Sequence, residues 1–178
     1  MPADVSNAFD VALFFSDAAL SENKYLQPQK LQSLLFLAQA YYSVAFQDRK
    51  LMPAVFVADE LGPLEPNVYV ALSRGKLEAT QGLSLPREVE RFLEAIWRRF
   101  GHMSSEKVIH LTSSTEAYKR AYKRGKQAEI DPAEMRSSFI RTEKMPHIDQ
   151  VIKPKIYRTQ SGKPVVVKSW VPGNKSTD

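Results

Sequence analysis

Residues 28–46 read PQKLQSLLFLAQAYYSVAF, and no other part of the chain carries so long an apolar stripe. Its apolar residues recur at the i, i+3, i+4 and i+7 spacing of an amphipathic helix. They are Leu31, Leu34, Leu35, Ala38, Tyr41, Tyr42 and Ala45. Pro28 suits the first turn of a helix, where no partner is needed for the N–H that proline lacks. The stripe therefore predicts the central helix of a bundle, over 28–46.

Shorter helices are predicted on both sides of this one. Helical spacing of apolar residues predicts a first helix over 5–19 and a later one that begins at Pro86 and ends before Gly101. Three more helices are indicated by residues whose side chains can accept hydrogen bonds from the unpaired backbone N–H groups of a first helical turn. Their predicted starts are Ser104, the capping box Ser113-x-x-Glu116 and Asp131-Pro132, with ends near Leu111, Gly125 and Ile140.

A rigid bend is predicted between the second helix and the next one. Residues 52–57 favour a brief extended segment, which leads into Asp59-Glu60-Leu61-Gly62-Pro63. Gly62 tolerates unusual backbone angles, and Pro63 forces its predecessor out of the helical region. Pro66 then opens a short helix, and residues 76–85 are predicted to form a loop or small hairpin.

The chain from Thr142 onward has a different composition, with prolines and basic residues. Two β-prone segments, 156–160 and 163–170, flank Ser161-Gly162 and predict a hairpin in which Pro164 marks an edge strand. The prediction is therefore a mainly α fold. It is a single compact helical domain over 1–141 with a central buried helix and a short extended segment, followed by a basic, proline-containing extension over 142–178 that forms a C-terminal β-hairpin tail.

Length and composition limit the class of protein. A chain of 178 residues with 43% hydrophobic residues can bury one core but is short for two full domains. The absence of cysteine excludes disulfides, thiolate metal sites and thiol nucleophiles, and it fits a reducing cytoplasm. Apolar runs are too short to cross a bilayer, and residues 1–10 carry acid where a signal peptide carries base. We expect a cytoplasmic protein without a membrane partner.

Positive charge is concentrated in the second part of the chain. Residues 1–100 hold 10 basic and 12 acidic residues, whereas residues 101–178 hold 15 and 8. Lys119, Arg120, Lys123 and Arg124 alternate with two tyrosines, a pattern that suits a nucleic-acid patch. The alternative is that the tyrosines face the core while the cations face water and offset the dipole of the helix.

Signals for catalysis and for cofactors are missing. The sequence has no GxxxxGK[ST], GxGxxG or GxSxG motif, and its three histidines lack the spacing of a zinc set. Asp59 and Glu60 are adjacent in the sequence, so their carboxylates are expected to point in different directions. They are therefore not predicted to act together as a general acid and base. We therefore expect no enzyme, no cofactor and no metal site. Exposed aromatic residues are better suited to a protein interface.

The helix over 28–42 and the bend over 58–69, ADELGPLEPNVY, together resemble the Panacea antitoxin domain, a SocA-like family once grouped with phage-associated proteins. That family pairs a KLQKLLYYAQ-like helix with a YGPV-like bend and a short helix. The resemblance extends over roughly residues 5–140. The chain departs from the pattern at Ser33, Phe36 and Leu61, which stand where the family has lysine, tyrosine and often an aromatic residue.

The resemblance implies an antitoxin that neutralises a cognate protein toxin by direct binding. Some members of the family act as adaptors that deliver the bound toxin to a ClpXP-type protease. A nucleic-acid-binding protein that uses the basic C-terminal part is the alternative of another class. The first predicted helix begins at Val5, so we expect no DNA-reading helix-turn-helix ahead of it.

Two regions are the candidate partner-binding sites. The bend has little backbone entropy left to lose on binding, although Gly-Pro could equally serve only to turn the chain. The tail over 148–171 is too apolar for a free linker, and its hairpin either folds back on its own domain or binds a partner by edge pairing or aromatic anchoring. The candidate residues are Asp59, Glu60, Leu61, Gly62, Pro63, Leu64, Tyr69, Tyr157 and Trp170.

Overall fold

The computed structural model describes residues 2–75, 85–140 and 145–152, and the backbone of two strands over 155–158 and 164–167. Helices dominate these residues, which confirms the predicted mainly α fold. In chain order the elements are α1 (Ala8–Ser21), α2 (Pro28–Ala45), β1 (Val57–Asp59), β2 (Gly62–Leu64), α3 (Pro66–Ser73), α4 (Arg87–Ile96), a π-helical turn (Trp97–Gly101), α5 (Ser105–Ser113), α6 (Glu116–Arg124), α7 (Pro132–Ile140), α8 (Ile148–Val151), β3 (Lys155–Arg158) and β4 (Pro164–Val167).

Helix α2 lies at the centre, as its apolar stripe predicted. Every residue over 31–42 is buried, because other helices and strand β2 pack around α2. Its buried polar side chains have partners: Gln39 Oε1 accepts the Met52 amide at 3.1 Å, and Ser33 Oγ accepts the Thr112 hydroxyl at 3.3 Å. Because buried polar groups cost free energy only when they are left unpaired, these residues do not weaken the core.

Aromatic rings from several elements meet on α2. The ring of Tyr41 packs edge-on against Phe139 of α7, with 4.9 Å between centroids, and stacks on Phe100 of the π-helical turn at 5.7 Å. The ring of Phe36 packs edge-on against Phe56 at 5.5 Å. Such pairs add to the free energy of burial, so they bind the outer elements to the central helix.

Side-chain caps begin most of the helices, but one predicted cap is wrong. Ser104 caps α5 as predicted, and Asp131 Oδ1 accepts amides at the start of α7. Ser113 does not form a capping box with Glu116, because α5 continues through Ser113 and gives that residue a helical backbone. Thr115 caps α6 instead, by accepting the amide of Tyr118. Helix α6 still ends at the predicted Gly125.

The helix predicted to continue to Phe100 changes its pitch at its end. Helix α4 stops at Ile96, and a π-helical turn, Trp97–Gly101, follows. A Cβ on Gly101 would lie 2.5 Å from Cδ2 of Trp97, so only glycine fits beneath this indole. Lys30 of α2 donates to the carbonyls of Gly101 and Met103 at 2.6 and 2.7 Å, which satisfies acceptors at the end of this turn.

The core continues beyond residue 141, where the sequence predicted the helical domain to end. Met145 and Val151 are buried, and the hydroxyl of Tyr41 donates to the carbonyl of Pro146 at 2.8 Å. Helix α8, which the sequence did not predict, carries Val151. The predicted hairpin forms from β3 and β4, which pair antiparallel with Tyr157 opposite Val165. The predicted loop or hairpin over 76–85 falls largely outside the described residues.

Among the described residues, no helix combines the length and the hydropathy needed to cross a bilayer.

Candidate functional site

The predicted bend is a β-hairpin. Strands β1 and β2 pair antiparallel, with Asp59 opposite Gly62, so that Glu60 and Leu61 form the two-residue turn. Gly62 has φ +119°, a backbone conformation that residues with a Cβ rarely adopt. The Gly-Pro pair thus follows the turn directly and sets its geometry.

A third segment completes the sheet on the outer side of β1. The amide of Ala58 donates to the carbonyl of Ala128 at 2.9 Å, and the amide of Gln127 donates back to the carbonyl of Ala58 at 2.9 Å. The amide of Ile130 donates to the carbonyl of Phe56 at 2.7 Å. The stretch that follows α6 therefore covers the edge of β1 and fixes the hairpin against α6.

The phenol of Tyr118 joins α6 to the turn. Its hydroxyl donates to the carbonyl of Asp59 at 2.6 Å. Burial raises the pKa of this phenol, and the nearby Tyr122 and Asp59 raise it further, whereas a hydrogen bond with the backbone of Gly62 lowers it. The tyrosine therefore stays neutral and donates at physiological pH.

An ion pair crosses from the turn to the end of α6. Nζ of Lys126 lies 2.8 Å from Oε1 of Glu60, and both side chains are exposed. The hydrogen bond between them lowers the pKa of Glu60 and raises that of Lys126. Exposed pairs of this kind contribute less than about 1 kcal/mol. The pair orients the turn more than it stabilises the fold.

Glu65 fixes the other end of the hairpin. Its buried carboxylate caps α3 by accepting the Val68 amide at 2.7 Å and the Asn67 side-chain amide at 3.0 Å. Its backbone N–H donates to Gln32 Oε1 of α2 at 2.7 Å. Since Gln32 belongs to the central helix, the chain leaving β2 is tied directly to the core.

The predicted bend residues divide into an exposed group and a buried group. Leu61 exposes 61% of its surface at the turn, and Tyr69 on α3 exposes 52%. Glu60 is also exposed, whereas Asp59 and Leu64 are half-buried. Gly62 and Pro63 are buried, so they position the turn and do not themselves present a surface to a partner.

The four cations predicted as a nucleic-acid patch are largely engaged with carboxylates. Lys119 lies 3.5 Å from Glu116, while Arg120 and Arg124 lie 3.3 and 3.6 Å from the same carboxylate, that of Glu134. Only Lys123 of the four has no ion pair in the part of the chain that the structure describes. The four therefore do not form a row of free charges for a phosphate backbone.

The tyrosines of this patch have different environments. Tyr118 is only 7% exposed, so its ring faces the core, in agreement with the alternative interpretation of the sequence. Tyr122 lies one turn later, stacks on Tyr118 with 5.6 Å between ring centroids, and keeps 45% of its surface exposed. The sequence assigned neither Tyr122 nor Lys126 to the partner-binding site. The four-residue spacing places Tyr118 and Tyr122 on one side of α6. Lys126 lies after Gly125, which ends the helix with φ +150°, so no helical spacing predicts its contact with Glu60.

The three departures from the Panacea pattern differ in exposure. Ser33 and Phe36 are buried on α2, so a different residue there changes core packing and not the surface. Leu61 stands exposed at the tip of the hairpin. Lys30 is the lysine that the chain shares with the pattern, and its Nζ donates hydrogen bonds to two backbone carbonyls. Partial burial lowers the pKa of Lys30.

The predicted tail site is only partly described. The start of the segment, Ile148–Val151, packs on the core as α8. Tyr157 lies in β3, of which the backbone alone is described, and Trp170 lies outside the described residues. Within the described ranges, no group of three or more His, Asp or Glu side chains is placed to hold a metal ion.

No protein-family model, no curated protein and no solved structure matches this chain. The resemblance to the Panacea antitoxin domain thus rests on the sequence alone.

Proposed function

We propose that this chain is an antitoxin that binds a cognate protein toxin and neutralises it without catalysis. The observation that carries the proposal is the exposed Leu61 at the tip of a hairpin that four separate contacts hold in place. Its support from the sequence is the resemblance of α2 and of this hairpin to the Panacea antitoxin domain.

The rigidity of the hairpin favours binding. Backbone pairing with residues 127–130, the Tyr118 phenol, the Lys126 ion pair and the Gln32–Glu65 contact all limit its motion. A surface that is already ordered loses little conformational entropy when a partner binds. An exposed leucine that the core does not use can then be buried at an interface, where the removal of its apolar surface from water favours association.

Two alternatives have weaker support. An adaptor would bind a ClpXP-type protease in addition to the toxin. A nucleic-acid-binding protein would use the basic patch, but Glu116 and Glu134 already engage three of its four cations. Free lysines and arginines are needed to displace counterions from phosphates, and this engagement reduces their number.

The test is co-expression with the product of the adjacent open reading frame. We expect that product to arrest growth alone, and we expect the chain to restore growth and to copurify with it. The half-life of the toxin separates the two protein-binding functions, since only an adaptor shortens it in a protease-dependent way. A neighbouring product that is harmless, or that neither copurifies nor loses toxicity, contradicts the proposal.

The site is tested with a matched pair of variants. Leu61→Glu places a charge at the hairpin tip and is expected to reduce copurification and growth rescue. Leu20→Glu makes the same change at another exposed leucine, on α1, and is expected to leave both unchanged. Equal effects of the two variants would remove the hairpin from the mechanism.

A further inference from the structure

Resting on the proposed function, we infer that Tyr122 and Lys123 of α6 complete the hairpin surface, and that this surface binds a segment of the partner in which an apolar side chain is flanked by acidic residues. The hairpin surface consists of Glu60, Leu61, Tyr122, Lys123 and Lys126. All five residues are exposed.

Contacts within the structure place Tyr122 beside the hairpin tip. Its ring stacks on Tyr118, whose hydroxyl bonds to the carbonyl of Asp59, one residue before the turn. Lys126, two residues after the end of α6, contacts Glu60 in the turn itself. The stack on Tyr118 therefore places Tyr122 near the residue that precedes the turn, and the Lys126 ion pair joins the chain after α6 to the turn.

The apolar part of this surface suits one inserted side chain. Leu61 is exposed by 61% and Tyr122 by 45%, although both belong to rigid elements. A tyrosine that stacks on a buried ring has little rotamer freedom left, so it can contribute contact area at small entropic cost. An apolar side chain of a partner that lies between them would remove both from water.

The charges around Tyr122 select acidic neighbours for that side chain. Lys119 precedes Tyr122 by one turn of α6, Lys123 is the next residue, and Lys126 follows Gly125, which ends the helix. Glu116 and Glu60 neutralise Lys119 and Lys126, respectively. Lys123 is left without an ion pair among the described residues. A carboxylate on the partner complements this charge, whereas a cation next to the apolar anchor would be repelled.

Different residues of the hairpin surface supply its affinity and its selectivity. An exposed lysine–carboxylate pair contributes little free energy because water screens it, so Lys123 gives preference among partners more than affinity. The free energy of apolar burial grows with the area removed from water, so Leu61 and Tyr122 supply most of the affinity.

The experiment uses two short fluorescent peptides and the full chain. One peptide carries Leu-Trp flanked by aspartate and glutamate, and the other carries Leu-Trp flanked by lysine. Fluorescence anisotropy is expected to show tighter binding of the acidic peptide, which Tyr122→Ser weakens by about fivefold or more and Lys123→Glu by about two- to fivefold. Lys123→Glu is also expected to improve binding of the basic peptide. Tyr122→Phe, which keeps the ring, should retain binding of the acidic peptide.

Matched controls guard against general effects. Tyr25→Ser and Lys107→Glu change exposed residues of the same types on other parts of the surface and should leave the affinity for the acidic peptide unchanged. Thermal melts of all variants verify folding. Failure to bind the acidic peptide, equal affinity for both peptides, or equal losses in the controls would overturn the inference.

A short DNA duplex tests the other class of partner. Duplex binding that Lys123→Glu abolishes and Tyr122→Ser spares would assign the cations to phosphate and overturn the inference. The peptide experiment does not require the toxin, so its outcome is separate from that of co-expression. The chain could restore growth while Tyr122→Ser and Lys123→Glu change neither peptide binding nor growth rescue. That result would leave the antitoxin proposal standing and would show that this surface does not bind the partner.

Discussion

The phenol of Tyr118 donates a hydrogen bond of 2.6 Å to the backbone carbonyl of Asp59, and it is the direct link from the side chains of α6 to strand β1. The two residues are 59 positions apart in the sequence. Because Tyr118 is buried and also stacks on Tyr122, one side chain fixes both the hairpin and the exposed ring beside it.

Tyr118→Phe removes this hydrogen bond and keeps the ring. We expect the free energy of unfolding to fall by about 1–2 kcal/mol, since the carbonyl of Asp59 loses a buried donor. Urea denaturation measures the change. Tyr122→Phe, at a residue that keeps 45% of its surface exposed, should change stability by less than about 0.5 kcal/mol. Equal stability of the two variants would show that the Tyr118 hydroxyl contributes nothing.

Gly101→Ala tests the close approach of Trp97. The new Cβ would lie 2.5 Å from Cδ2 of the indole, so the ring or the turn must move. We expect a loss of about 1–3 kcal/mol, together with a change in tryptophan fluorescence. Gly75→Ala is the control, because a Cβ there meets no atom within 4 Å and only the positive φ opposes it, at a cost of about 1 kcal/mol. An unperturbed melt and spectrum for Gly101→Ala would contradict the packing.

Alkaline pH is expected to destabilise the fold through two buried tyrosines. Burial raises the pKa of Tyr41, and burial together with the carboxylate of Asp4 raises that of Tyr42. Both phenols stay protonated in the folded state above the unfolded pKa of about 10. The stability that they contribute is therefore fully present below about pH 10 and is lost as pH rises toward their folded pKa values.

Melting temperatures measured between neutral and alkaline pH test this expectation. Tyr41→Phe should lower stability near neutral pH, because the hydrogen bond to Pro146 is lost, and should flatten the decline above about pH 10. Tyr25→Phe changes an exposed phenol and should leave the pH dependence as it is. A decline of the same slope in Tyr41→Phe and in the parent chain would exclude Tyr41 as its cause.

Leu35→Asp places a charge in the centre of α2, where the side chain is fully buried. An uncompensated buried charge costs roughly 3–5 kcal/mol, a large part of the stability of a typical domain. We expect the variant to lose its cooperative thermal transition. Leu20→Asp, at an exposed leucine of α1, should melt close to the parent chain. A cooperative transition in Leu35→Asp at the parent temperature would contradict the central position of α2.

The fold was predictable where a periodic pattern and a local cap act together. Helix α2 begins at the predicted Pro28 and ends at Ala45, one residue before the predicted end, because its stripe is long and its first turn has a proline. The Ser113 capping box failed because α5 extends through Ser113, and Thr115 supplies an equivalent hydroxyl two residues later. Competing caps of similar strength cannot be ranked from sequence alone.

The candidate site was only partly predictable. The turn at Gly62-Pro63 follows from local chemistry, and Leu61 was among the candidate residues of the bend. Lys126 and Tyr118 reach the hairpin across more than 50 positions of sequence, and no local pattern indicates such contacts. The sequence could not distinguish the two tyrosines of the basic patch: Tyr118 is buried, and Tyr122 stacks on it and stays exposed.

The contact between Gln32 and Glu65 makes the hairpin part of the cooperative folding unit. Gln32 is a buried residue near the start of the most buried helix, and its side chain accepts the backbone amide of Glu65 immediately after β2. An opening motion that frees this junction must expose a polar side chain of α2 or break its hydrogen bond, so we expect the amide of Glu65 to exchange its hydrogen at a rate close to that of global unfolding. The hairpin tip at Leu61 therefore has its binding conformation only in a folded molecule, and partial unfolding would remove this binding surface.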